Sequence, residues 1–411
     1  MFRSIFVALT AVFVFGLAGN ALANNAYPII FVHGWMGWGE GGLGNLHYWG
    51  GERNLQEELR AKGYEVYMVS VSPVGSNWDR AAELYAIIKG GRVDHGAAHS
   101  SVAGHAQFSG KTYPGIYPQW GERNPATGEV KKVHLVGHSM GGSTIRLLTA
   151  LLENGDAHEK SVGGALSPLF AGGADTKGVV ESVTTISSPH NGNALVYRMG
   201  EVVPDFAAFF SYLFSYGSLD LMVDQWGLTK APGESDVEYA LRVLTASPLA
   251  ASWDNSSVDL SPEGAIYLNA RAPASPNVYY LSYATNATHP TSTGDEVPLP
   301  TMNPFLVNAS KLLGSMTGTF ISVPIDESWK ANDGMLATSS QEGPTLGSND
   351  IIVRSRGNNR YTRGVWNFVK TLRGVDHYDV VGLTGRPNGD SSKTMAFYLD
   401  LAKTLQSLPA R

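Results

Sequence analysis

The chain has 411 residues, a formal net charge of −6, 43% hydrophobic residues and 16% charged ones. That apolar content supports a packed core and excludes a disordered chain, while the acidic balance excludes counterion-driven binding of nucleic acid and offers no basic patch to an anionic membrane. No cysteine is present, so stability has to come from buried area, with metal ions as an optional further source, and any zinc site has to be built from histidine and carboxylate.

Residues 1–23 read as an export signal: Arg3, an apolar run over residues 5–19, then Ala21-Leu22-Ala23, a small-x-small site that places cleavage after Ala23. The run is short for a bilayer span, so a secreted protein is expected, with residues 24–411 as one domain carrying insertions. Residues 27–32 (YPIIFV) and 65–71 (EVYMVSV) are apolar runs bounded by turn residues, which predicts buried strands. Between them residues 54–62 (NLQEELRAK) have helical spacing and stop at Gly63, so a parallel crossover unit follows. Residues 72–127 are rich in His, Gly and Pro with little periodicity and read as a loop-rich insertion. Further strands are predicted at residues 132–136, 179–186, 278–284 and 364–369. Residues 191–247 hold a dense aromatic run (FAAFFSYLFSY, 206–216) that reads as a helical cap. Strands alternating with helices imply an α/β fold with a mostly parallel sheet covered on both faces.

Gly137-His138-Ser139-Met140-Gly141 follows one predicted strand and precedes a helical run. This is G-x-S-x-G in the strand-turn-helix context of a nucleophile elbow, where glycine relieves crowding and the serine oxygen stands clear of the backbone. A serine hydroxyl needs a base, and the base needs an orienting acid, in the chain order Ser, Asp, His for the α/β-hydrolase fold. His377 is the only histidine in the last quarter of the chain and is the candidate base. Asp333, in an Asn-Asp-Gly turn, is the candidate acid, with Asp326, Asp350 and Asp376 as rivals. The oxyanion donors expected are the backbone N–H groups of Met140, next after the nucleophile, and of Trp35, in the loop after the first strand; His33 beside it reads as structural. His95, His99 and His105 cluster in the first insertion with Asp79 upstream, a weak metal signal by itself.

These motifs together resemble the zinc-containing lipases of thermophilic bacilli, relatives of the staphylococcal lipases. The resemblance is carried by residues 28–38 (PIIFVHGWMGW), Tyr48-Trp49-Gly50-Gly51, Ser76-Asn77-Trp78-Asp79-Arg80, 93–105 (VDHGAAHSSVAGH), Thr112-Tyr113-Pro114-Gly115, 151–155, 166–170, 224–228, Asn332-Asp333-Gly334 and Val375-Asp376-His377. It implies an α/β-hydrolase fold and a triad of Ser139, Asp333 and His377. It also implies a structural zinc site on Asp79, His99, His105 and Asp224, without His95, tying the insertion to the cap. Calcium beside the histidine loop is implied through Thr301 and Asp379, but Thr384 and Gly385 stand where the family has aspartate and proline, so a site here would need another carboxylate such as Asp390.

Phe206, Phe209, Phe210, Leu213 and Phe214 fall on a helical period, giving a broad apolar face that the resemblance assigns to a lid. The expected activity is hydrolysis of long-chain acylglycerols at an oil–water interface by a chain that is a monomer by default. The rivals are a carboxylesterase or polyester depolymerase with the same triad, a catalytically silent binding protein, and zinc-based hydrolysis.

Overall fold

The computed structural model describes residues 25–357, 360–384 and 392–410. The residues read as an export signal, together with Gly385 and Asp390, lie outside them. The apolar runs assemble a seven-stranded sheet of β1 (Ile29–Val32), β2 (Val66–Val69), β3 (Val133–His138), β4 (Val180–Ile186), β5 (Tyr279–Asn286), β6 (Ile352–Arg354) and β7 (Trp366–Arg373). Its order is β6-β7-β5-β4-β3-β1-β2, and each pairing is parallel. The first strand thus lies inside the sheet, with Ile29 opposite both Val66 and His134.

Parallel strands need cover on both faces, and β1, β3, β4 and β5 are buried throughout. Successive side chains of β1 face opposite ways. Ile29 and Phe31 enter a core shared with the cap and the C-terminal helix, whereas Ile30 and Val32 enter a second core with the helices on the other face. The helices are α1 (Leu55–Arg60), α2 (Asn77–Lys89), α3 (Ala97–Ala103), α4 (Met140–Asn154), α5 (Met199–Phe214), α6 (Pro262–Arg271) and α7 (Ser392–Gln406); α1, α5 and α7 contribute to the first core and α2, α4 and α6 to the second. Helix α1 starts where the sequence places it, because the Asn54 side chain accepts the Glu57 N–H at 3.0 Å as an N-cap.

The stretch expected to be loop-rich is corrected at one place. Residues 77–89 form the regular helix α2, packed on α4 across the sheet face. Its apolar period is hidden because Asp79, Arg80 and Glu83 are buried along with Trp78, Ala81, Ala82 and Leu84. Beyond it, Gly91–Asp94 and Phe108–Tyr113 pair as an antiparallel hairpin around α3. The aromatic run is helical, as α5.

Candidate active site

Strand β3 ends at His138 and α4 begins at Met140, leaving Ser139 in the bend with φ 53° and ψ −129°. A non-glycine residue there stores roughly 1–3 kcal/mol of strain, which the surroundings must hold. They do so closely: a Cβ on Gly137 would lie 2.4 Å from the Gly141 backbone, and one on Gly141 would lie 2.2 Å from the Val32 carbonyl oxygen. The Ser139 N–H donates to Ile186 O at 2.9 Å, fastening the bend to β4.

His377 and Asp333 come from loops after β7 and β5, and His377 Nδ1 lies 2.9 Å from Asp333 Oδ2. The same carboxylate accepts Met335 N–H at 3.0 Å and Leu336 N–H at 2.8 Å on Oδ1, and Thr285 Oγ1 at 2.7 Å and Gln341 Nε2 at 3.1 Å on Oδ2. Its position is therefore set from several elements at once. Ser139, Asp333 and His377 are 8%, 0% and 3% exposed. The rival acids are engaged elsewhere. Asp326 accepts Ser328 N–H, Asp350 accepts Ala274 N–H and the Trp366 indole, and Asp376 accepts the N–H groups of Asn303, Tyr378 and Asp379.

The loop after β1 lies directly against the bend, since a Cβ on Gly34 would stand 2.7 Å from Ser139 Cβ. His33 Nδ1–H donates to Gly34 O at 2.8 Å, and its Nε2 accepts Val71 N–H at 3.1 Å. Burial and then the Arg80 guanidinium lower its pKa to about 3, so the ring stays neutral and holds the Gly34–Trp35 peptide in place, the structural role expected of it. The backbone of Gly34, one residue before Trp35, thus lies against Ser139, and Met140 follows it directly in the chain.

Helix α5 covers this ground. The Trp35 ring meets Phe206 and Phe210 edge-on at 5.4 and 5.7 Å, and Phe209 stacks on Tyr378 at 4.7 Å. Leu213 is buried behind them and Phe214 packs beside Phe210. One apolar face therefore rests on both the β1 loop and the histidine loop.

Asp79, His99, His105 and Asp254 form a separate cluster whose candidate ligand atoms all lie within 4.8 Å of one another. Asp79 Oδ1, Asp254 Oδ1 and His99 Nε2 are buried without a hydrogen bond. Two imidazoles and two carboxylates converging on one point fit a metal ion. Asp224 is corrected: its Oδ2 accepts Gly110 N–H at 2.6 Å on the hairpin, away from the cluster. The short turn Asp224–Trp226 rotates successive side chains, so Gln225 reaches the site instead, donating to Asp79 Oδ2 at 2.8 Å, while Trp226 packs on His105. His95 contacts Asp79 Oδ1 at 3.1 Å and is not one of the four clustered residues.

Thr301 and Asp379, the expected calcium residues, line one cavity of about 410 Å³ together with Thr384, Arg373 and Lys393. Calcium takes six to eight oxygen ligands. Among the described lining residues there is one carboxylate, Asp379, and two cationic side chains, Arg373 and Lys393.

A parallel sheet with a strained serine between strand and helix, an Asp–His pair on later loops and a helical cap over all of it define the α/β-hydrolase class. Residues 25–407 match the family model for the lipase-like C-terminal domain, and the chain belongs to that family. It is 40% identical over 371 residues to Lipase 2 of Staphylococcus aureus, covering 87% of this chain and 51% of that protein. The chain thus spans about half the length of the curated relatives it matches. Among solved structures, EstA from Clostridium botulinum superposes with a TM-score of 0.84 at 39% identity, over 95% of this chain and 89% of that one. Lipase 1 from Pelosinus fermentans gives 0.82 at 41% identity, over 94% and 100%. The expected kinship with staphylococcal lipases is therefore borne out.

Proposed function

We propose that this chain is a secreted lipase that cleaves long-chain acylglycerols through Ser139, His377 and Asp333. The observation that carries the reading is the Asp333–His377 hydrogen bond beneath an apolar helix, beside a serine held in a strained bend. In this mechanism Ser139 Oγ attacks the ester carbonyl carbon while its proton passes to His377 Nε2, with Asp333 orienting the ring through Nδ1. The N–H groups of Trp35 and Met140 receive the oxyanion. Collapse breaks the carbonyl–alkoxide bond, and the leaving alcohol takes the proton from His377. Water then attacks the acyl-enzyme, His377 accepts its proton and returns it to Ser139, and the fatty acid departs.

The apolar face of α5 favours a lipid substrate, because an oil surface removes the cost of exposing that face when the helix moves. Zinc suits the cluster, where Asp79, His99, His105 and Asp254 would hold it in a closed structural site. No step passes through a metal. The small-x-small pattern before residue 24 supports export.

The test is hydrolysis of triglycerides of graded chain length, with and without a serine-directed phosphonate and in a Ser139→Ala variant. Sustained rates on long chains in emulsion, abolished by both treatments, are expected. A steep fall beyond short chains with no gain from emulsion makes the chain a carboxylesterase. Ester cleavage that survives Ser139→Ala ends the triad reading.

A further inference from the structure

Loops from separate strands have to meet at one reacting carbon, and Tyr48 stands at their junction. It lies between β1 and α1, buried, with its ring edge-on to Trp38, Trp49 and His33. Its hydroxyl oxygen accepts the Gly34 N–H at 2.9 Å and lies 2.6 Å from His138 Nδ1. A backbone N–H can only donate, so the phenol proton is the one left for His138 Nδ1. That sets the ring as its Nε2–H tautomer.

His138 is the residue before Ser139, and its ring lies 4.6 Å from that of His377. The His377 backbone carbonyl favours the N–H on this side without forming a hydrogen bond of good geometry. Burial, then the neighbouring His377, push the His138 imidazole well below the usual histidine range. The ring is a neutral spacer.

We propose that Tyr48 and His138 are positioning residues that set the distance between the Trp35 N–H and Ser139. The phenol clamps the His33–Gly34 peptide to the side chain that precedes the nucleophile, so the β1 loop and the elbow move as one body. His33 holds the next peptide plane from the other side. This inference rests on the reading of Ser139 and His377 given under the proposed function. Neither Tyr48 nor His138 touches the substrate.

Tyr48→Phe removes the hydroxyl and keeps the packed ring. With a soluble short-chain ester, kcat per phosphonate-titrated active site is expected to fall about 10- to 100-fold, with KM changed less than about 2-fold, because the loss falls on a group used in the transition state. Phosphonylation of Ser139 slows by a similar factor, since its tetrahedral adduct needs the same donors. His138→Gln gives a comparable fall, and adding Tyr48→Phe to it costs little more, because both act through one clamp. A normal kcat per active site in Tyr48→Phe overturns the proposal, as does a loss that only tracks the unfolded fraction. If His138→Gln does not fold, Tyr48→Phe decides alone. Ser139→Ala separates the two readings: activity surviving there overturns the triad itself, whereas activity lost there but normal in Tyr48→Phe overturns only the clamp.

Discussion

His377 is tied to Asp333 twice. Its backbone N–H donates to Asp333 O at 2.9 Å, and its ring Nδ1 meets Asp333 Oδ2 at the same distance. One residue therefore supplies both the place of the loop and the aim of the ring, and the Asn-Asp-Gly turn that carries it is itself pinned by Asn332 Oδ1 accepting Gly334 N–H at 2.9 Å.

Asp333→Asn keeps the backbone tie and replaces the acceptor that faces the ring. The imidazole is then held in the wrong tautomer, and kcat is expected to drop about 10,000-fold while the fold persists. Steady-state kinetics alongside a thermal melt check this; a loss of less than about 10-fold would mean another carboxylate orients His377.

If the Asp79–His99–His105–Asp254 cluster holds a metal ion, stability is expected to depend on it. Chelation is expected to lower the melting temperature by several degrees and to leave the rate per folded molecule nearly unchanged at low temperature. Asp254→Asn should abolish the response to chelator, whereas Asp224→Asn should preserve it. Calorimetry with and without chelator on both variants distinguishes the two aspartates directly.

Phe209 stacks on Tyr378, next to His377. Phe209→Ala removes that contact and loosens α5, at a stability cost of about 3–5 kcal/mol. Turnover of a soluble monomeric ester should rise, and the extra rate gained on adding emulsion should shrink. An unchanged ratio of emulsified to monomeric rates would show that α5 does not gate the site.

His134 is buried in β3, with Ser182 Oγ at 2.8 Å from Nδ1 and Asn25 Oδ1 at 2.7 Å from Nε2. Burial, then Lys132 and Arg363, lower its pKa from 6.5 to about 3. The folded state thus binds fewer protons than the unfolded one, so the contribution of His134 is complete above pH 6.5 and is lost as pH falls toward 3. Glu83 and Asp259, raised by burial to about 8 and about 7, act in the opposite direction, losing stability as pH rises. His134→Gln should therefore flatten the acid limb of the stability curve. Urea unfolding at pH 7, 5 and 4 compares the slopes; parallel curves for the two proteins would contradict it.

Much of this arrangement is legible in the chain itself, because the parts with a period or a fixed local order announce themselves. The buried strands are short apolar runs, and G-x-S-x-G sits between one of them and a helix. The aromatic spacing that marks Phe206, Phe209, Phe210 and Leu213 as one face of α5 is a helical repeat. What stays hidden lacks such order. Asp254 reaches His105 from 149 positions away through an irregular turn, and no spacing rule links them. Asp224 has the right residue type and neighbourhood, but a one-residue difference in a tight turn sends Gln225 inward in its place. Helix α2 is obscured because its polar residues are buried and used, which erases the apolar stripe a reader looks for. Thr285 and Gln341, which fix the Asp333 carboxylate, carry no motif and emerge only from contacts.

The ligand set joins α2 to a turn far downstream, across a long loop of chain. An ion bridging those points would act as a cross-link that withdraws conformations from the unfolded ensemble, as sulfur–sulfur bonds do in disulfide-bonded proteins. Reducing agents cannot open such a bridge. Its strength would follow the supply of free ion and the acidity that protonates its imidazoles, so with an ion bound the durability of this fold would track the mineral content of its surroundings and not their redox state.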